Sequence, residues 1–528
     1  MVATTAVTAA LILLAGCGGN DKKSESSSDG GGDTSTTSPT PSAPPIASFD
    51  PPKAFAVAAA YPSMRSQGQS SAEESTVGMV GRTAVIAGTD GMTGRDIAGQ
   101  NSSWTVPAKS AATTEVSEQT KPVAAKVDGK DVVAIAYAET DKGNGTQKPK
   151  GLIVFQWIDP TDGKKVAEVT ADLSQSLGPG AGSPELGAQA YDPETGQFAV
   201  GVSADGTSQK VGQVFTVYAD PKTQKSSVLP FVNPAGVLNG TIAGAKAGNT
   251  EGAGNGTIVL ADAASGKIAK QFPTGMDYLN PVAGGPKHGY FYGHKFTSSR
   301  SGSTFKEDYN NTLYSVDYAI GAVVPTKPAS APKDDMTFEC LSDLASAVVC
   351  AGGQGDGSRE LIGFDDATGK KSWGYTSQSA NRVVPEVTAA FHGVVYAATE
   401  SQAVLLDAKT GQDLPAATPS SSDSSSPTSS DTPGSGDTPS SSDTPSSGDT
   451  SSSGDSPSSS DSPSSGDTPG SSDTPSDGTG NPGSDMSLYN GKQDSPDAVS
   501  ANGAVYRQSA NADANDLESI LIVLRPTA

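Results

Sequence analysis

The chain has 528 residues, is 34% hydrophobic, contains 61 Gly and carries a net charge of −23. That length leaves room for one large domain or two to three ordinary ones, and the low apolar content means that part of the chain forms no core. The acidity excludes a nucleic-acid partner, since neutralising phosphates takes clustered Lys and Arg; eleven Asp within 416–485, with no Glu, Lys or Arg there, supply about half of it.

An apolar run over 9–15 ends in Leu14-Ala15-Gly16-Cys17 and gives way to Gly18-Gly19-Asn20 and a long polar stretch. The run is too short to cross a bilayer as a mature helix and reads as an export signal. A Cys directly after small residues resembles the lipobox of bacterial lipoproteins: Leu, a small residue, Gly or Ala, then Cys. The resemblance implies that Cys17 is lipidated on sulfur and becomes the mature N-terminus, with the rest of the chain tethered outside the cytoplasm. The alternative is an ordinary secretory signal. No Lys or Arg precedes Leu14, although export signals begin with them, so the start of translation is expected upstream of Met1. Residues 18–48 are Ser, Gly, Thr, Pro and Asp with almost no apolar side chain, and form the expected flexible spacer after the 1–17 leader.

From 49 to 415 the pattern is all β. Short apolar or alternating runs recur between Gly, Asp, Asn and Pro: 83–87, 132–137, 152–157, 214–218, 257–260, 290–292, 394–396 and 404–406. They are rich in β-branched and aromatic residues, and no stretch holds a helical period over three turns. Several end in an Asp with a Gly four residues on: Asp159 and Gly163, Asp262 and Gly266, Asp317 and Gly321, Asp365 and Gly369, Asp407 and Gly411. A weaker copy, Asp220 to Gln224, has lost its Gly, and a similar turn, Asp192 to Gly196, falls out of phase as the first hairpin of the same unit. Asp and Thr side chains bond nearby amides and Gly supplies φ > 0, so the chain reverses between antiparallel strands. Repeats of 40 to 60 residues built from strands indicate one propeller blade each.

Asp365-Asp-Ala-Thr-Gly369-Lys-Lys-Ser-Trp373 resembles the turn of the PQQ-type β-propeller repeat, Ala-x-Asp-Ala-x-Thr-Gly-Lys-x-x-Trp, and Asp407 to Gly411 is the second-best copy. The resemblance implies that Trp373 packs between neighbouring blades. Only this copy keeps the tryptophan, so the other blades are expected to pack differently. Six turns close six blades, 77–106 reads as a partial blade before them, and the expected total is eight, with seven as the alternative.

Between 428 and 475 a hexapeptide of the form Ser-Ser-Gly-Asp-Thr-Pro repeats eight times. The 416–485 tract is expected to be disordered, extended and self-repelling, with Ser/Thr-Pro density that also suits O-glycosylation. One Asp per six residues does not build a calcium loop. Strand-like runs return at 497–506 and 519–524, within 486–528. They are too few to fold alone, and they make sense as the last blade, completed by a strand near Ala54 to Ala58. The tract is then an insertion within the propeller; the rival reading is a stalk.

Cys340 and Cys350 lie in two strand-like runs around Ser342-Asp-Leu-Ala345, face each other in such a hairpin, and are expected to form a disulfide. The three His (His288, His294 and His392) are scattered, with no Cys or His at ligand spacing, so no metal site is expected. No Gly-x-Ser-x-Gly elbow, His-Glu-x-x-His or Walker loop occurs, and the Gly-rich stretches at 178–182 and 352–357 read as loops. The expected function is a non-catalytic interaction scaffold without a cofactor, held at the membrane by a lipid anchor and binding an envelope protein or polymer. The alternatives are a ligand or glycan sensor, and a quinoprotein dehydrogenase. The last is disfavoured because the chain lacks the adjacent-cysteine pair and the aromatic residues such a site needs. Lipobox, Gly content and Ser/Thr-rich tracts together resemble exported lipoproteins of high-GC Gram-positive bacteria, which implies an anchor in the outer leaflet of the plasma membrane.

Overall fold

The computed structural model describes residues 46–62, 75–98, 103–177, 183–204, 214–246, 254–301, 304–329, 336–353, 359–378, 382–415, 484–509 and 519–528. These form eight antiparallel sheets. Each sheet places its first strand against the first strand of the next, and the last meets the first, so the sheets are the blades of an eight-bladed β-propeller around a central channel.

Blade 1 is Thr76–Val80, Thr83–Gly88, Gly91–Asp96 and Ser103–Pro107. It is a complete four-stranded blade, which corrects the expectation of a partial one. Blade 2 (Thr114–Gln119, Val123–Val127, Lys130–Asp141, Lys150–Ile158, Lys165–Asp172) has its inner strand broken in two, both halves pairing with Lys130–Asp141. Blade 3 runs from Pro184–Tyr191 to Lys225–Pro230, blade 4 from Asn233–Leu238 to Lys267–Pro273, blade 5 from Tyr278–Gly284 to Val323–Thr326, and blade 6 from Thr337–Ser342 to Lys370–Thr376. Blade 7 has three strands, Glu386–Phe391, Val394–Ala398 and Ala403–Asp407. Where its fourth would lie there is a single bridge, Leu406 to Asp413. Blade 8 joins the two ends of the described chain: Ala498–Ser500, Gly503–Ser509 and Ser519–Pro526 form its inner three strands, and Phe55–Pro62 its outermost, with Ala60 opposite Ile522.

The core lies in the seams between blades. Val132 to Ala138 and Ile153 to Phe155 are buried on both sides, because a middle strand has a neighbouring blade on each face. This is why such strands read as continuous apolar runs and not as alternation.

Alternating strand direction sorts the connections. Turns between strands one and two, and between three and four, gather on one face, here the turn face. Loops between strands two and three, and the blade-to-blade connections, gather on the other, the loop face. The ribbon of blade 5, His288–Ser301 with Thr304–Asp317, is the longest in the ring, where the sequence suggested only 290–292. It runs about seven residues beyond the reach of its inner neighbour on the loop face, roughly 23 Å at strand rise. Leu414 bonds to Leu405, and Asp485 to Ala60, so the residues flanking 416–483 sit at the outer edges of blades 7 and 8.

Candidate functional site

The aspartates singled out in the sequence cap the turns between third and fourth strands. The Asp159 carboxylate accepts from the amide of Thr161 (2.9 Å), Asp262 from Ser265 (2.8 Å), Asp317 from Ala319 (2.8 Å), Asp365 from Ala367 (3.1 Å) and Asp407 from Thr410 (2.8 Å). The amides of Gly163, Gly266, Gly321, Gly369 and Gly411 donate back to the carbonyls of the same aspartates, all five with φ between 64° and 74°. The Asp220 turn keeps this geometry without its glycine: Gln224 adopts φ 53° and bonds to the Asp220 carbonyl (2.9 Å).

These turns are where one blade grips the next. Trp373 of blade 6 donates from Nε1 to Ala408 O of blade 7 (2.9 Å), and its ring lies over Gly411, where a Cβ would come within 2.4 Å of it. Trp104 does the same between blades 1 and 2. It donates to Pro160 O (2.9 Å) and leaves room only for a glycine at 163. Each tryptophan stands opposite a third-strand glycine that its ring covers, Gly94 and Gly363 respectively. Trp104 was missed in the sequence. The signal was the shared spacing of ten residues, Gly94 to Trp104 and Gly363 to Trp373. At Gly321 the side chains of Phe272 and Lys270 take the same place, and Gly266 sits beneath the carbonyl of Val228.

A second set of grips is made by buried aspartates on the turn face. Asp192 accepts from the amide of Asn239 (2.9 Å), Asp343 from Gly393 (3.0 Å) and Asp366 from Lys287 (2.7 Å), each reaching into a neighbouring blade. Asp366 also accepts from Tyr290 Oη (2.9 Å), while its carbonyl accepts from Nδ1 of buried His288 (2.7 Å). Burial pulls the His288 imidazole down, but Asp366, with Asp317 beyond it, outweighs this and holds its pKa above the ordinary histidine value. His294 packs against Tyr278 (4.6 Å between centroids) in blade 5, and His392 contacts the Asp50 carboxylate.

Cys340 and Cys350 stand directly opposite each other in blade 6 and form a disulfide. No cluster of His, Cys, Asp or Glu suited to a metal ion occurs among the described residues, and no described helix is long and apolar enough to cross a membrane. Cys17, the 18–45 part of the spacer, the Gly-rich 178–182 stretch and the hexapeptide tract lie outside the described residues.

The inner strands of blades 2 and 3 border an open, polar pocket of 330 Å³, lined by 117–121, Leu186, Gly187 and Gln189. Lys121, one of its lining residues, donates from Nζ to the Asp497 carbonyl of blade 8 (2.9 Å).

No family model matches this chain. No curated protein matches it either. Solved structures similar to it include the β-propeller domain of the Trilobed protease from Pyrococcus furiosus (13% identity, 58% of this chain and 84% of that chain, TM-score 0.33). A second is the Dos1 propeller (10% identity, 67% and 85%, TM-score 0.38). A third is a prolyl endopeptidase (13% identity, 65% of this chain, TM-score 0.35), of whose length the chain covers about half, 48%. At these similarities the likenesses carry nothing about activity, and the propeller stands on its own strand pairing.

Proposed function

We propose that this protein is an extracytoplasmic, non-catalytic interaction scaffold, anchored through lipidated Cys17 to the outer face of the plasma membrane, whose loop face engages an envelope protein or polymer. The observation that carries the reading is what the loop face bears and the turn face does not; blade-to-blade grips occur on both, as where buried Asp277 accepts from the amide of Gly254 (2.7 Å). The described chain enters on the turn face, with Phe49 bonded to Ala501 and Lys53 to Ala528. The loop face bears the projecting ribbon of blade 5 and the connection that holds the hexapeptide tract. Binding surfaces concentrate on loops held by a rigid scaffold, which fits a partner on the loop face.

The test has two arms. Cys17→Ser should abolish lipidation and release the protein into the medium or block its processing; a variant that still partitions into detergent as a lipidated protein does would overturn the anchor. In intact cells, a photo-crosslinking residue at Asn144 or Ser401 on the loop face should yield discrete adducts, while one at Lys222 or Lys409 on the turn face should not. Equal adducts from both faces, or none from the loop face, would overturn the assignment.

A further inference from the structure

We infer that Asn144 is a site of spontaneous deamidation, at which the loop between the second and third strands of blade 2 converts with age to aspartate and isoaspartate. This goes beyond the scaffold reading and depends neither on it nor on the anchor.

The chain holds five Asn-Gly pairs, beginning at Asn144, Asn239, Asn255, Asn490 and Asn502, and all five are among the described residues. Glycine has no Cβ, so it leaves the main chain after the Asn open to close approach. Once a base has taken the proton of the Gly amide, its nitrogen attacks Cγ of the Asn. An N–Cγ bond forms, the Cγ–Nδ2 bond breaks, and Nδ2 leaves as ammonia with a proton from solvent. Water then opens the succinimide at either carbonyl, giving aspartate or isoaspartate. The step needs a glycine amide able to lose its proton and a carboxamide free to reach it in line. A native hydrogen bond on either group opposes it.

Two of the pairs stand in the same tetrapeptide, Gly-Asn-Gly-Thr, at 143–146 and 254–257, so any difference between them comes from the fold. At the first, Asn144 and Gly145 are exposed, and nothing lies within 4 Å of a Cβ added to Gly145. Neither the Gly145 amide nor the Asn144 side chain has a hydrogen-bond partner among the described residues. The bonds that shape this loop fall to either side, Gly143 N donating to Asp141 Oδ1 (2.9 Å) and Thr146 N to the Asn144 carbonyl (2.5 Å). At the second, the amide of buried Gly256 donates to Met276 O (2.9 Å) and its carbonyl accepts from Thr274 N (2.9 Å). Gly254 N is held there by the buried Asp277 carboxylate (2.7 Å). The other three pairs are held as well. Gly240 N donates to Gln197 Oε1 (2.7 Å), Gly503 is buried opposite Ser500 in the ladder of blade 8, and Asn490 Oδ1 is taken by the Lys492 amide (2.9 Å). Conversion at Asn144 adds a negative charge, and in the isoaspartate form one more main-chain carbon. Among the described residues 143–149 bond to no other blade, so the ring keeps its shape while its loop face changes.

The experiment is peptide mapping of the full-length protein aged in warm, mildly alkaline buffer, by mass spectrometry with fragmentation that separates aspartate from isoaspartate. A second sample is aged unfolded in guanidinium. Unfolded, Asn144 and Asn255 should convert at the same rate, because their tetrapeptides are identical. In the native protein Asn144 should convert at least tenfold faster than Asn255, and faster than Asn239, Asn490 and Asn502. Equal native rates at Asn144 and Asn255 would overturn the inference, as would a faster native rate at any of the other four. So would the absence of native conversion at Asn144 over an interval in which the unfolded sample converts completely.

Discussion

The grip of Trp104 on the following blade can be isolated by a double-mutant cycle with Gly163. Trp104 is 9% exposed, its indole donates to Pro160 O at 2.9 Å, and its ring atoms would lie 2.7 Å from a Cβ at 163. Truncating a buried tryptophan to Ala costs about 3–5 kcal/mol. Gly163→Ala carries two penalties: about 1–2 kcal/mol for an L-residue at φ 71°, and about 1–3 kcal/mol for forcing a methyl against the ring. Gly81 supplies the control, since its φ is 54° and nothing lies within 4 Å of an added Cβ, so Gly81→Ala bears the backbone penalty alone. In the Trp104→Ala background the ring contacts disappear, while the Cβ of residue 104, 2.7 Å from an added methyl, remains. Gly163→Ala should then lose part of its packing penalty yet still cost more than Gly81→Ala, giving a coupling of about 1 kcal/mol, outside the scatter of independent sites. Guanidinium unfolding of the four proteins of the cycle, with Gly81→Ala beside them, reads these values. Additivity within about 0.5 kcal/mol would show that Trp104 does not dock on the turn, and the account of the seams would fail with it.

Gln224→Gly should stabilise by somewhat under about 1 kcal/mol, as it relieves a side chain at φ 53° at some cost in unfolded-chain entropy; a lower melting temperature would refute this. Replacing Cys340 and Cys350 together by Ser should leave a folded protein that melts lower. With a separation of 10 residues, the chain-entropy term is about 2.7 kcal/mol, and free thiols in the native protein would remove the premise. His288, whose pKa is raised on folding, stabilises fully below its unfolded value of about 6.5 and loses that contribution as pH rises through the folded value. The wild type should therefore exceed His288→Gln in melting temperature most at acid pH, and a difference that grew with rising pH would contradict the assignment. Replacing 419–483 by a short Gly/Ser linker should be neutral or slightly stabilising, because closure entropy grows only with the logarithm of length. Stopping after Leu414 removes three strands of blade 8 and should aggregate; equal behaviour of the two truncated proteins would mean that those strands do not close the ring.

The ring was legible in the sequence where one residue type has one use. A Gly four residues after Asp has to be a turn, and a run such as Val132 to Tyr137 has to be buried on both sides. Blade 1 was underestimated because the Gly after its third-strand aspartate comes three residues on, at 99, and not four, although Asp96 accepts from the amide of Ala98 (2.7 Å) as the other capping aspartates do; the Gly94 and Trp104 spacing also announced it. The aspartate grips were invisible for a different reason. Asp192, Asp343 and Asp366 look like any turn residue, and what distinguishes them is an amide in another blade, 47, 50 and 79 residues away. The pocket left one local trace, Pro122. Having no amide to donate, proline is confined to edges, strand starts and breaks within a sheet, and it stands at the end of the break in the inner strand of blade 2.

Blade 8 also sets a temporal order. Among the described strands Phe55–Pro62 comes first in the chain, and its partner, Ser519–Pro526, comes last. Until that partner emerges, every shorter chain is an open crescent with a bare edge at each end. A contact of such extreme sequence separation forms slowly, so closure falls late in folding. The unclosed form exposes edges that invite pairing with other chains. The joint therefore acts as a check on closure: only a chain carried through Ser519–Pro526 can bury Phe55–Pro62.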